Sequence, residues 1–85
     1  MGRYYFHLYD DLDVIDEEGL ELSGPDAARD KGLAMARAMA CAEVLEGHLN
    51  LRHRIEIVSE DSEPVATVHF GDTVRIESWP RRPRR

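Results

Sequence analysis

Seven consecutive residues near the start of the chain, residues 3–9, read Arg-Tyr-Tyr-Phe-His-Leu-Tyr and limit the fold more than any other segment. Their aromatic content and the absence of Gly and Pro predict a β-strand, whose side chains alternate between two faces. The six side chains after Arg3 divide into Tyr4, Phe6 and Leu8 on one face and Tyr5, His7 and Tyr9 on the other. Both faces can therefore pack, whereas a strand of an antiparallel sheet commonly has one wet face.

The segments that follow predict further short strands and one helix. Extended segments are expected at residues 13–16 and near residues 20–22, before the helix. After the helix, strands are expected at residues 54–59 and 65–70, joined by a polar turn. A last extended piece is expected at residues 73–77.

The order β-β-α-β-β predicts an α+β fold, a single antiparallel β-sheet with one α-helix packed on one face. We expect one domain over residues 1–79 and a basic, disordered C-terminal tail over residues 80–85. A chain of 85 residues has a thin core, and thin cores are often supported by disulfides, a metal or self-association. The core side chains expected between sheet and helix are Phe6, Leu8, Ile55, Ile57, Val68 and Phe70.

The predicted helix is rich in alanine. Ser23 is expected to cap it, with Asp26 completing a capping box, and Gly47 is expected to end it after Glu46. One apolar face, expected to lie on the sheet, consists of Ala27, Ala34, Ala38, Ala42 and Leu45. A second apolar strip consists of Leu33, Ala36, Ala40 and Val44. A helix with two apolar strips is typical of burial on two sides, so a second subunit could cover one of them.

Charge is unevenly distributed along the chain. The formal net charge is −6, yet the last five residues hold four arginines, Arg81, Arg82, Arg84 and Arg85. Residues 10–21 hold seven acidic side chains and no Lys or Arg. A hard cation such as Ca²⁺ needs several oxygens, but the spacing does not match an EF-hand loop. The favoured interpretation is a solvated acidic segment that also protects a sheet edge from strand addition.

The residues that could carry chemistry are dispersed. His7 and His69 are expected on the outer face of the sheet, and His48 and His53 flank the end of the helix. Cys41 lies in the middle of the helix, where no positive helix end activates a thiol, and no other cysteine can form a disulfide with it. We therefore expect no catalytic residue, no metal site and no cofactor, and a protein that is not an enzyme.

The expected setting is the cytoplasm. No apolar run reaches the roughly 18 residues of a membrane span, so no membrane partner is expected. The first residues form a strand-like segment rather than a secretion signal. A lone cysteine fits a reducing compartment.

Three segments carry a resemblance to a known family. They are residues 3–8 (Arg-Tyr-Tyr-Phe-His-Leu), residues 16–22 (Asp-Glu-Glu-Gly-Leu-Glu-Leu) and residues 70–76 (Phe-Gly-Asp-Thr-Val-Arg-Ile). With the alanine-rich helix between them, they resemble small bacterial proteins, chiefly alphaproteobacterial, that form an uncharacterised domain of unknown function. The resemblance covers residues 3–77. It implies the fold and a cytoplasmic setting, and it brings no activity and no site residues.

The first functional hypothesis is a protein-interaction module that self-associates as a homodimer or binds an unidentified protein partner. A patch of Tyr, His and Val on an open sheet face is typical of an interface, because amphipathic side chains suit surfaces that are alternately wet and buried. The interface residues expected on that face are Tyr5, His7, Tyr9, Val65, Thr67 and His69.

The alternative hypothesis is a weak nucleic-acid-binding or antitoxin-like regulatory module. The four tail arginines could neutralise phosphates, and tyrosines on an open sheet face could stack bases. The acidic segment at residues 10–21 opposes such binding by repulsion, so nucleic acid is the less favoured partner.

Overall fold

The structure is a computed structural model that describes residues 1–77. In this part of the chain one α-helix packs on a single antiparallel sheet of five strands, which confirms the predicted fold class. The elements are β1 (Gly2–Tyr9), β2 (Asp13–Val14), β3 (Leu20–Leu22), α1 (Pro25–Leu45), β4 (Arg54–Ser59) and β5 (Pro64–His69). The predicted tail at residues 80–85 lies outside the described residues.

Strand β1 is the axis of the sheet. Strand β4 pairs with one of its edges along almost the whole length, and β5 pairs with the far edge of β4. The other edge of β1 is shared by two short strands at its opposite ends. Leu8 pairs with Val14 of β2, and Tyr4 pairs with Leu20 of β3. The middle of this edge is thus left to the loop between β2 and β3.

The core confirms most of the predicted buried side chains. Phe6, Ile55, Ile57, Val68 and Phe70 are buried, whereas Leu8 is only half-buried. Tyr4 is also buried, as expected from its place on the same face of β1 as Phe6 and Leu8.

The predicted sheet-facing side of the helix was wrong. The strip on the sheet is formed by Ala28, Gly32, Ala36 and Ala40, at intervals of four residues. Of the expected face, Ala27 is half-buried, and the exposed members are Ala34, Ala38, Ala42 and Leu45. Burial of one alanine-rich face of the helix gains about as much hydrophobic free energy as burial of another. Steric fit therefore decides which face lies on the sheet.

Gly32 provides that fit. A Cβ atom at this position would lie 2.4 Å from the Cδ1 atom of Ile57, closer than real carbon atoms pack. The next nearest atom is Cγ1 of the same completely buried Ile57, at 3.2 Å. Gly32 therefore lets α1 lie close against Ile57 of β4, at a cost in helix propensity of about 1 kcal/mol relative to alanine.

The start of the helix differs from the prediction, and its end agrees with it. The N-cap is Gly24 rather than Ser23, and no side chain caps the helix. Pro25 follows as the first helical residue, where its fixed φ suits a helix start and its missing N–H loses no hydrogen bond. At the other end Gly47 adopts a φ of 94°, which confirms it as the glycine that ends the helix.

The last described segment is not a strand. Phe70–Asp72 forms a 3₁₀ turn instead of the end of β5, and residues 73–77 form no strand. The turn is closed by the carboxylate of Asp72, which accepts the backbone N–H of His69 at 3.0 Å. Beyond it, Nε of Arg37 donates to the carbonyl oxygen of Thr73 at 2.9 Å and so ties this segment to the helix.

Candidate interaction surfaces

The outer face of the sheet, opposite α1, is arranged in rows across three strands. One row consists of Tyr9, Arg54 and His69, and the next consists of His7, Glu56 and Thr67. Thr67 and His69 are exposed, and the predicted β1 residues Tyr5, His7 and Tyr9 are half-buried. The structure thus brings five of the six expected interface residues onto one face.

A charged pair lies on the middle strand of this face, at the end where β4 begins. The guanidinium carbon of Arg54 lies 4.6 Å from the centroid of the Tyr9 ring, which is a cation–π geometry. Nε of Arg54 also donates to a carboxylate oxygen of Glu56 at 2.8 Å. Sequence reasoning missed both residues, although their alternation with the buried Ile55 and Ile57 places them opposite the core.

Val65 lies apart from the rest of the predicted interface. A register shift between Ile57 and Val58 makes Val58 pair with Pro64, so one extra residue stands in β5. Val65 is this extra residue, and it packs partly against the core. Val58 instead lines a shallow outer hollow of about 290 Å³ together with Tyr5 and His7.

Asp16 completes the broken edge of β1. Its Oδ2 atom accepts the backbone N–H of Phe6 at 3.0 Å, and its Oδ1 atom accepts those of Glu18 and Gly19, each at 3.1 Å. The backbone N–H of Asp16 in turn donates to Nδ1 of His7 at 3.1 Å. In the gap between β2 and β3, the carboxylate of Asp16 thus accepts the β1 backbone N–H that a neighbouring strand would otherwise bind.

These hydrogen bonds determine the ionisation of Asp16. Burial by itself would raise the pKa of this carboxyl group, but the N–H groups of Phe6, Gly19 and Glu18 and the nearby His7 lower it more. The pKa of Asp16 is therefore below its ordinary value, and the group is held as a carboxylate. The sequence signal for this role is weak, because Asp16 is one of many acids in its segment.

The loop after Asp16 depends on a glycine. Gly19 has a φ of 70°, and a Cβ atom there would lie 2.8 Å from the carbonyl oxygen of Tyr4. Nη1 of Arg3 also donates to the carbonyl oxygen of Glu18 at 2.7 Å. The loop is therefore held against β1 from both ends.

An apolar groove opens on the helix side of this edge. The helix packs chiefly on β4 and β5, so the inner face of β1 is only half-covered at Leu8, although Tyr4 and Phe6 are buried. The groove has a volume of about 590 Å³, reaches Phe6 at its floor, and is lined by the apolar side chains Leu8, Val14, Ile15, Leu20, Met35 and Met39. Val14, Ile15 and Leu20 are 52%, 53% and 40% exposed, a large apolar exposure for so small a domain.

His53 lies between two carboxylates at the start of β4. Its Nδ1 atom is 2.5 Å from Oε2 of Glu43, and its Nε2 atom is 3.5 Å from Oδ1 of Asp11. The residue is 6% exposed, and its ring meets Phe70 edge-on at a centroid distance of 5.5 Å. Burial raises the pKa of Glu43, but the backbone N–H of Asn50 and the His53 ring lower it more, so the net shift is downward.

This cluster joins the helix end to the sheet and was not expected from the sequence. Its one signal was that Glu43 follows Ala36 and Ala40 on the buried strip of the helix, where a carboxylate needs a partner. Among residues 1–77, no three His, Cys, Asp or Glu side chains are grouped so that they could hold a metal ion. Cys41 is exposed on the helix.

Comparison with known proteins shows the family of the chain. A family model described as a domain of unknown function, DUF6894, matches residues 3–71. The chain belongs to this family. The resemblance to an uncharacterised domain family inferred from the sequence is thereby confirmed. No curated protein and no solved structure matches the chain.

The matched segment contains both surfaces described above, the outer sheet face and the apolar groove. Within residues 1–77, α1 lacks the combination of length and apolar character that crossing a membrane requires. The arginines proposed for nucleic-acid contact, Arg81, Arg82, Arg84 and Arg85, lie outside the described residues.

Proposed function

We propose that this protein is a non-enzymatic, cytoplasmic interaction module that self-associates as a homodimer through the outer face of its sheet. The observation that carries the proposal is the pair of rows Tyr9–Arg54–His69 and His7–Glu56–Thr67 on the face opposite the helix. Their tyrosine and histidine side chains offer broad contact area together with hydrogen-bonding atoms.

Charge balance makes this face suitable for contact between identical copies. Arg54 is paired with Glu56 on the middle strand, so this pair brings no net charge into a contact with a second copy. In a two-fold contact, each pair can also exchange partners with its counterpart in the second copy. The groove is a poorer candidate for self-contact, because Glu17 and Glu18 line it and two acidic rims repel each other.

Mutation of the two outer tyrosines of β1 tests which surface is used. We expect the variant Tyr5→Ser/Tyr9→Ser to have a monomer's molar mass by light scattering at concentrations where the unmodified chain is a dimer. The matched control is Leu12→Ser/Leu45→Ser, which removes apolar side chains that are 75% and 83% exposed elsewhere. A folded tyrosine variant that keeps the dimer mass would exclude the outer face as the interface.

The nucleic-acid hypothesis competes with this proposal through the four tail arginines. Binding carried by phosphate contacts weakens steeply with salt. Fluorescence anisotropy of labelled DNA and RNA at two salt concentrations separates the two functions. Salt-sensitive binding that disappears when residues 80–85 are removed would favour the nucleic-acid module, and no binding would favour the interaction module.

A further inference from the structure

The helix layer of this fold covers only part of its sheet. Helix α1 packs chiefly on β4 and β5, and the apolar groove lies beside it, over β1 and the two short strands. Neighbouring strands lie about 4.8 Å apart, and packed helices lie about 8–10 Å apart. A second helix at the ordinary distance from α1 would therefore lie two strands farther along the sheet, directly over the groove.

The apolar lining of the groove has the length of a short helix. Val14 of β2 pairs with Leu8, and Leu20 of β3 pairs with Tyr4, so these two exposed side chains lie near the two ends of the groove. The four residue steps from Tyr4 to Leu8 span about 14 Å. An α-helix covers that distance with about nine residues, which form about two and a half turns.

Several backbone groups beside the groove are already hydrogen-bonded, so a strand has little to pair with there. The Asp16 carboxylate accepts the N–H groups of Phe6 and Gly19. Arg3 donates to the carbonyl oxygen of Glu18. An extended partner adds to a sheet through free backbone groups, whereas a helix satisfies its own and binds through one apolar face. The groove therefore fits a helix better than a strand.

The loop between β2 and β3 makes one side of the groove acidic. Glu17 and Glu18 line the groove, and both are exposed. Within residues 1–77, neither carboxylate forms an ion pair. Residues 10–21, which include this loop, contain no Lys or Arg. A partner therefore gains from positive charge beside its apolar face, whereas an anionic membrane surface is repelled.

We propose that the groove binds a basic, amphipathic α-helix of a different protein. This helix lies beside α1, and its apolar side chains at positions i, i+3 or i+4, and i+7 fill the groove. Its Lys or Arg side chains face Glu17 and Glu18. Met35 and Met39 form the α1 side of the groove, and their unbranched side chains adapt to the shape of the incoming ones. Because the groove opens on the helix side of the sheet, this binding is independent of a dimer formed through the outer face.

The methionines of the chain report on this binding without any mutation. There are three, of which Met35 and Met39 line the groove, whereas Met1 is 91% exposed and lies outside the lining. The probe is a synthetic helical peptide of about 16 residues with leucines on one face and lysines on the other. In the full chain with ¹³C-labelled methionine methyl groups, we expect this basic peptide to shift the NMR signals of Met35 and Met39 and to leave that of Met1 unchanged.

Two control peptides separate the shape of the groove from its charge. A scrambled peptide keeps the composition but has no apolar face, and an acidic peptide has glutamate in place of each lysine. Fluorescence anisotropy of the labelled peptides is expected to show that both controls bind at least about tenfold more weakly than the basic peptide. High salt is expected to weaken binding of the basic peptide.

Substitutions in the groove test where the basic peptide binds. Ile15→Ser and Leu20→Ser each make the lining more polar, and each is expected to weaken binding about tenfold. Glu17→Gln/Glu18→Gln removes charge but leaves the apolar lining intact, and it is expected to weaken binding to a similar degree. The matched control Leu12→Ser changes an exposed leucine of the neighbouring turn outside the groove and leaves the affinity unchanged. Circular dichroism verifies that each variant is folded.

Three results would overturn the proposal. They are Met35 and Met39 signals that do not respond to the basic peptide, equal binding of either control peptide, and an affinity that folded groove variants do not change. Equal binding of the scrambled peptide would show a general attraction to an acidic protein. The molar mass of the same samples gives the oligomeric state separately, so failure of the dimer and failure of this binding site are distinguished.

Discussion

Asp16 stands beside Phe6 as a strand residue would, with its carboxylate accepting the Phe6 backbone N–H at 3.0 Å. The same carboxylate accepts two further N–H groups from its own loop. One side chain thus closes the gap between β2 and β3 along the edge of the sheet.

Removal of this carboxylate is expected to destabilise the domain. Asp16→Ala leaves the N–H of Phe6 without an acceptor in a partly buried position, so we expect the free energy of unfolding to fall by about 2–3 kcal/mol. The control Glu17→Ala removes an exposed acid from the same loop and is expected to change it by less than about 0.5 kcal/mol. Urea unfolding measures both. Equal effects would mean that the Asp16 hydrogen bonds contribute nothing specific.

The pKa values of Asp16 and Glu43 predict the acid limit of stability. Both are below their ordinary values of 3.8 and 4.5, so the unfolded chain binds protons more readily than the folded one. The stability that they contribute is present above those ordinary values and is lost as the pH falls through the folded pKa values. We expect the stability gap between the unmodified chain and Asp16→Asn to shrink between pH 6 and pH 3. A constant gap would contradict the assigned shift.

The contact of Gly32 with Ile57 predicts an unusual helix substitution. Gly32→Ala improves helix propensity by about 1 kcal/mol, but its methyl group would lie 2.4 Å from Ile57 Cδ1. We expect a net loss of about 1–3 kcal/mol in unfolding free energy, as in other overpacked cores. Thermal unfolding measures this loss. The variant Ala38→Gly, at an exposed site of the same helix, measures the effect of helix propensity alone.

A second substitution determines whether steric crowding causes the loss. Ile57→Val removes the Cδ1 atom that a methyl group at position 32 would meet. We expect the double variant Gly32→Ala/Ile57→Val to lose about 1 kcal/mol less unfolding free energy than the two single variants lose together. Simple additivity would show that helix and sheet are not in close contact here.

The cluster around His53 predicts a strong effect at the end of the helix. Glu43→Ala removes the partner of a buried imidazole and the acceptor of the Asn50 backbone N–H. We expect a loss of about 1–3 kcal/mol in unfolding free energy, because the buried His53 ring loses its partner, whereas the exposed Asn50 N–H can bond to water. Glu46→Ala, at an exposed position one turn later, is the control and is expected to be nearly neutral. Chemical unfolding at pH 7 compares them.

Local patterns were sufficient for the strands as far as β5 and for most of the core, whereas the extended piece predicted at residues 73–77 is absent. Alternation placed Phe6, Ile55 and Ile57 inward, because a strand permits only two orientations. The helix offered no such contrast, since alanine recurs on several faces, and the contact between Gly32 and Ile57 that selects one face joins residues far apart in the chain.

The candidate surfaces were predictable to different degrees. Tyr5, His7 and Tyr9 follow from alternation alone, whereas the displacement of Val65 depends on a bulge that no local signal marks. The groove depends on where the helix lies across the sheet, and that position is a property of the whole domain. Asp16 and His53 act through partners distant in sequence, so their roles appear only when the chain is folded.

Self-association through the outer face of the sheet is decided by the molar mass of the unmodified chain in solution. Light scattering coupled to size exclusion, over a range of protein concentrations, is expected to give a mass that approaches twice that of one chain. The mass is expected to be insensitive to moderate salt, because Arg54 and Glu56 neutralise each other on the middle strand of the face. The mass of a single chain at every concentration would contradict the proposed dimer.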